Sequence, residues 1–224
     1  MGEILVVKFG GSVLGEGEDL RGAAESVRAE VEKGLAPLVV VSAMKGATDR
    51  LLSTARSISR EIPLDELDEI LAMGEIEAAR LMALALTSVG LEAEVVSPSS
   101  GHWPIITDDT HGDAVLILDE CRRRAKEGLL PLIAAGRVPV VCGFIGKTLG
   151  GKVTTLGRGG SDTTAVLLAN VLGAREVVLV KDVAGFFSAD PKKVGKARAI
   201  DSLDAEDAYI LVSSGSQIIQ DKAL

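Results

Sequence analysis

The chain has 224 residues, of which 47% are hydrophobic and 25% charged, a composition of ordinary globular proteins rather than disordered ones. That length suffices for one substantial core, or one fold with two lobes, and excludes three domains. With 32 acidic residues against 24 Lys and Arg the formal net charge is −8, which argues against non-specific nucleic-acid or anionic-membrane binding, so a phosphate ligand has to be held by local design. No apolar run approaches the roughly 18 residues of a membrane span. The strand pattern begins at the amino terminus with no signal-peptide pattern, and a cytoplasmic protein is the expectation.

Ile4 to Val7 reads as a buried strand that delivers Lys8-Phe9-Gly10-Gly11-Ser12 at its carboxyl end. Leu20, Ala23, Ala24, Val27 and Val31 recur at helical spacing up to Gly34. Leu38 to Val41 is a second buried strand, followed by a loop from Ser42 to Asp49. Two strands joined by a helix form a βαβ unit, so both loops open on the same edge of a parallel sheet. From Asp65 to about Ser88 a helix is predicted, with Leu67, Ile70, Leu71, Leu81, Leu84 and Ala85 on its apolar period. Gly74 lies on that face beside Glu75; an interior helical glycine costs about 1 kcal/mol relative to Ala, so close approach is expected there. Val95-Val96 reads as a strand, Pro98 to Asp113 as a loop and Ala114 to Gly128 as a helix whose Arg122-Arg123-Arg124 is a solvated face. Two further strands are expected at Pro131 to Ala135 and Pro139 to Phe144, and another at Val177 to Val180. Alternating strands and helices predict an α/β fold with a mainly parallel central sheet. Glycines clustered from Gly146 to Gly151 suggest a boundary between lobes 1–146 and 147–224.

Thr154-Thr155-Leu156-Gly157-Arg158-Gly159-Gly160-Ser161-Asp162 precedes an apolar run from Val166 that ends at Gly173, as a helix with a glycine C-cap would. A glycine-rich loop feeding a helix N-terminus suits an anion, and the guanidinium of Arg158 matches a carboxylate or phosphate bidentately. The plain alternative is a loop with Asp162 as an ordinary cap. Gly146-Lys147-Thr148 ends like a Walker A loop, but Val141 stands where its first glycine belongs, and no G-x-G-x-x-G run is present. Cys121 and Cys142 lack the second pair that a zinc site needs and are expected to be reduced packing residues. His102 and His111 read as loop residues rather than metal ligands. The residues alone point to an α/β protein that binds a small anion, with phosphoryl transfer as one plausible chemistry.

Lys8 to Ser12, Val41 to Asp49, Gly74-Glu75, Gly143-Phe144-Ile145-Gly146, Thr154 to Ala165, and Asp182 to Gly185 with Ala189-Asp190-Pro191 occur in the order found in aspartate kinases. The sequence therefore resembles the catalytic domain of that family, within the amino acid kinase superfamily, over nearly its whole length. The resemblance implies a three-layer fold and ATP-dependent phosphorylation of the aspartate side-chain carboxylate, the entry to lysine, threonine and methionine synthesis. It implies that Lys8 contacts the transferred phosphate with Gly10, Gly11 and Ser12, that Asp162 orients Lys8, and that Ser42, Thr48, Glu75, Arg158 and Ser161 hold aspartate. Lys181, Asp182, Phe187, Lys192 and Gln217 fall on the nucleotide side. Mg2+ is expected to accompany ATP, held by phosphate oxygens and water, and a homodimer is expected.

Three positions depart from the family pattern. Ser12 follows Gly11 without the usual Thr, Phe187 stands for a Tyr, and Gln217 replaces a lysine that approaches the ATP phosphates. The resemblance also implies that the family's catalytic domain runs on beyond Leu224 and that regulatory ACT domains follow, so 147–224 reads as a second lobe of either a minimal or a truncated form, to which no feedback site is assigned. Two alternatives remain at this stage: another small-molecule kinase of the superfamily acting on a carboxylate, carbamate or phosphate, and a non-catalytic aspartate-binding regulatory subunit.

Overall fold

In a computed structural model, residues 2–182 are described, together with Gly185, Arg198 and Ile200. The apolar runs at Ile4 to Phe9, Leu38 to Val41 and Val138 to Cys142 become fully buried strands because helices cover both sides of the sheet they form, whereas Val177 to Val180 stays partly exposed. β1 (Ile4–Phe9), β2 (Ala36–Val41), β3 (Ala93–Val96), β5 (Val138–Cys142) and β8 (Glu176–Val180) make a five-stranded sheet ordered β3-β5-β2-β1-β8. Every pairing in it is parallel. Phe9 is level with Val41 and with Val180, and Val41 is level with Cys142, so four strands end along one edge. The loops after β1 and β2 open side by side there, as the βαβ reading requires.

α1 (Gly17–Glu32) turns Leu20, Ala23, Ala24 and Val27 inward and is opened by a capping box between Glu16 and Asp19. It packs with α3 (Leu64–Ser88) on one side of the sheet, and α2 (Ala47–Ile58) lies against α3. On the other side, α4 (Leu118–Ala134) and α5 (Gly160–Leu172) pack together and on β2, the first also on β5 and the second on β1 and β8. A three-stranded sheet, β4 (Ile106–Thr107), β6 (Ile145–Thr148) and β7 (Val153–Thr155), completes the described chain in the order β4-β6-β7. Gly146 lies within β6, and Gly150 and Gly151 turn the β6-β7 hairpin, where Gly151 has φ 92°.

Several local expectations change. Ala47 to Asp49, read as the end of a loop, instead open a helix that runs to Ile58, started by Gly46 at φ 78°. The helix expected from Ala114 starts at Leu118, because residues 114–117 bond to strand backbone: Ala114 N–H to Thr155 O (2.8 Å) and Ile117 N–H to Ile106 O (2.8 Å). No strand forms at Pro131 to Ala135. Those residues close α4, where Leu129, Leu132 and Ile133 are buried at helical spacing, and that burial outweighs the one backbone bond that Pro131 cannot make. The arginines of α4 form the solvated face expected of them, with Arg123 paired to Glu120 and Glu127.

In α3 the buried face is mostly small: Ala72, Gly74, Ala78, Ala79 and Ala83, with Met82, Leu86 and the acids Asp68 and Glu75. Leu84, placed on the apolar face by periodicity, is 67% exposed. Small residues let a long helix lie close to α1, α2 and the sheet at once. Gly74 shows the close approach expected of it, since a Cβ there would sit 3.1 Å from the Ala43 Cβ.

Candidate active site

An open cleft of about 420 Å³ lies at the carboxyl edge of the main sheet, lined by Lys8, Ser42, Thr48, Glu75, Phe144, Gly157 to Gly160, Ser161 and Asp162. Strand ends, two helix N-termini and one helix flank therefore converge on one space. Lys8 comes from β1, Ser42 follows β2, Thr48 is in the first turn of α2, and Ser161 and Asp162 are in the first turn of α5.

Lys8 and Asp162 are both buried, and Lys8 Nζ lies 2.8 Å from Asp162 Oδ1. Lys181, just past β8, places its Nζ 2.6 Å from Asp162 Oδ2. One carboxylate thus holds two ammonium groups, with a net charge of +1 for the trio, on the sheet edge. This arrangement revises the capping reading: α5 has Gly159 as its N-cap at φ 77°, no side chain caps it, and the carboxylate of Asp162 is directed to the two lysines. The uncapped first turn adds partial positive charge to the same space.

Glu75 reaches the cleft from α3 and is only 5% exposed. Burial pushes its carboxyl up to about 8, against smaller lowering effects from the Ala43 N–H and from the charge of Lys8, and its Oε2 has no hydrogen-bond partner. Arg158, at the crest of the loop before α5, is exposed and makes no ion pair with any described residue. A buried acid whose proton is held at neutral pH and an exposed guanidinium thus face one cleft.

The first glycine loop sits beside this space. Gly10 donates its N–H to Val180 O (3.0 Å), which commits that amide to extending the sheet, and a Cβ at Gly10 would lie 3.6 Å from Lys8 Nζ. Gly11 begins a 3-10 turn and packs on the Ala43 carbonyl with no room for a side chain, and Ser12 in that turn is exposed. Asp182 is exposed next to Lys181. Phe187, Lys192 and Gln217 lie outside the described residues.

Two contributors carried no role in the sequence reading. Phe144 lines the cleft with φ 65°, held by a turn in which Ile145 N–H donates to Gly143 O (2.7 Å). Such a γ-turn is strained for a non-glycine residue. The signal available was its place between Gly143 and Gly146 in a quoted motif. Asp68, one helical face with Glu75 and seven residues before it, had no signal beyond that spacing. The cysteines are free and buried, and burial pushes the Cys142 thiol up to about 12.

Residues 3–224 match the model of the amino acid kinase family. The chain is 39% identical over 221 residues to an aspartate kinase of Stutzerimonas stutzeri, covering 99% of this chain and 52% of that protein. It is 40% identical over 217 residues to an aspartokinase of Mycobacterium tuberculosis, covering 96% and 50%. The chain thus spans about half the length of the curated relatives it matches. Among solved structures, E. coli aspartokinase III in complex with aspartate and ADP superposes with a TM-score of 0.87 at 26% identity, over 99% of this chain and 59% of that one. An aspartate kinase from Synechocystis superposes at 0.78 with 31% identity, over 98% of this chain and 35% of that one.

Proposed function

Because the chain belongs to the amino acid kinase family, we propose that it transfers the γ-phosphoryl group of ATP to the side-chain carboxylate of L-aspartate, giving 4-phospho-L-aspartate and ADP. The observation that carries this reading is the pairing, on one cleft, of the Lys8-Asp162-Lys181 trio with Glu75 and Arg158. The aspartate kinase relatives, and the E. coli enzyme with aspartate and ADP, support it.

In this reading an oxygen of the acceptor carboxylate forms a bond to the γ-phosphorus while the bond to the ADP oxygen breaks. The carboxylate is already ionised at neutral pH, so no general base is required. Catalysis then consists of positioning and charge stabilisation. Lys8 meets the charge that develops on the equatorial oxygens, and Asp162 fixes its ammonium at 2.8 Å. Lys181 extends the positive edge toward the nucleotide, whose remaining contacts we assign to Asp182, Phe187, Lys192 and Gln217 in the segment after residue 146. Mg2+ supplies further charge neutralisation when it arrives bound to ATP phosphates.

On the acceptor side Arg158 takes a substrate carboxylate bidentately, with Ser42, Thr48 and Ser161 donating hydroxyls. Glu75 receives the α-ammonium. Its carboxyl holds a proton in the empty site up to about pH 8, and a cation beside it favours ionisation, so aspartate binding at pH 7 releases a proton. This selects an amino acid over a simple diacid. A cytoplasmic homodimer that feeds lysine, threonine and methionine synthesis completes the proposal.

The test is ADP release with ATP and magnesium, with and without aspartate, trapping the acyl phosphate with hydroxylamine. Aspartate-dependent hydroxamate is expected. Turnover with another carboxylate, carbamate or phosphate acceptor and none with aspartate moves the activity elsewhere in the family; aspartate binding without turnover makes the chain a regulatory subunit.

A further inference from the structure

Asp68 is 1% exposed, in the interior of α3, and is not among the residues that line the cleft. A buried carboxylate is costly unless its oxygens are fully engaged, and here they are. Oδ1 accepts from Thr155 Oγ1 (2.6 Å), and Oδ2 accepts from His111 Nδ1 (2.7 Å) and from Gly112 N–H (3.2 Å). The three donors come from two segments distant in sequence: β7, which ends three residues before Arg158, and the loop before α4.

Those two segments are tied to each other beside the same carboxylate. Thr155 O accepts from Ala114 N–H (2.8 Å), and Gly157, at φ 73°, packs on the Asp113 side chain with no room for a Cβ. Leu156 N–H donates to Phe144 O (2.9 Å). Each residue from Thr155 to Gly157 is therefore anchored, while Arg158, the next in line, extends into the open. The anchor closest to the protein interior is Asp68, and it sits two helical turns from Glu75 on the same helix.

We propose that Asp68, with His111 and Thr155, is a positioning device that sets the Arg158 loop relative to Glu75, so that α3 controls both charged contacts to the acceptor amino acid. The device acts on acceptor binding and leaves the lysine trio untouched, because Asp162, which holds Lys8 and Lys181, has no hydrogen bond to it among the described residues. Through one rigid helix the distance between the ammonium site and the carboxylate site is fixed, and with it the length of acceptor that fits both. This rests on the reading of Arg158 and Glu75 as acceptor contacts.

The experiment compares Asp68→Asn, Thr155→Val, Thr155→Ser and Arg158→Ala with the parent chain, by two readouts. Amide hydrogen exchange without ligand is expected to quicken at residues 156–160 in Asp68→Asn and Thr155→Val, to stay slow in Thr155→Ser, and to be unchanged in β1 and β2. KM for aspartate is expected to rise about ten-fold in Asp68→Asn, the loss typical of one charge-assisted hydrogen bond, with KM for ATP moving less than about two-fold and little further rise when Asp68→Asn is added to Arg158→Ala. Exchange at 156–160 that stays at the parent rate overturns the proposal whether or not the chain phosphorylates aspartate. Quickened exchange with an unchanged acceptor KM, or an undiminished effect on the Arg158→Ala background, also overturns it. A parent chain without aspartate-dependent turnover defeats the functional reading, and the exchange result then decides the positioning role alone.

Discussion

Asp162 and Glu75 are buried to the same degree, 5% exposed each, on the same cleft. Asp162 is ion-paired with two lysines at 2.8 and 2.6 Å, although its Oδ1, facing Lys8, makes no hydrogen bond. Glu75 keeps an oxygen without a partner and a carboxyl pushed up to about 8. Equal burial thus yields opposite chemistry, because what decides the state of a buried acid is the compensation it finds. In the proposed reading, the phosphate side is assembled before any ligand arrives, whereas the acceptor side is left open for charges that a ligand brings.

Four substitutions break or sharpen that contrast. Lys8→Ala removes the ammonium closest to the proposed transferred group, and kcat is expected to fall about 10³-fold or more with the fold retained; near-normal turnover would remove Lys8 from the mechanism. Asp162→Asn leaves two lysines facing each other without their anion, and denaturant unfolding is expected to show a loss of about 3 kcal/mol, as for other broken buried ion pairs. A loss within about 0.5 kcal/mol would mean the trio is solvated and the contrast false.

Arg158→Ala is expected to raise KM for aspartate roughly 30-fold with KM for ATP nearly constant, since it deletes a charged, bidentate contact. Equal changes in both constants would take Arg158 off the acceptor side. Glu75→Gln bears on pH. The folded-state value lies above the ordinary 4.5, so the unfolded chain releases this proton first, and the stability of the parent declines from pH 4.5 to about 8. The slope it contributes is at most about 1.4 kcal/mol per pH unit, and the Gln variant is expected to lack it. Superimposable stability-pH profiles for the two proteins would show that Glu75 is ionised at neutral pH.

The readable part of the site consisted of residues whose neighbours in sequence announce a backbone geometry. Lys8 precedes a glycine pair at a strand end, Arg158 and Ser161 sit in a glycine-rich loop before a helix, and Gly74 marks close packing beside Glu75. The family resemblance gathered these into one site, and the cleft does bring Lys8, Ser42, Thr48, Glu75, Arg158, Ser161 and Asp162 together. Less readable were elements whose sequence favours one structure and whose surroundings impose another. Residues 114–117 have helical spacing but pair with Ile106 and Thr155 backbone, and Pro131 lies inside a helix that continues past it and buries Leu132 and Ile133.

Sequence alone determined the alternation of strands and helices, hence a parallel sheet with its loops on one edge, because apolar periodicity is a local property of the chain. It also determined which residue types were available for anion chemistry. Tertiary structure decided what each acid does. Asp162, a cap by its local sequence and a partner of Lys8 by the family resemblance, holds Lys181 as well, Glu75 acquires a shifted carboxyl through desolvation, and Asp68 joins Thr155 and His111 from 87 and 43 residues away. Partners that far apart along the chain leave no periodicity or spacing to read, and the free energy of a buried charge depends on them more than on its own neighbours in sequence.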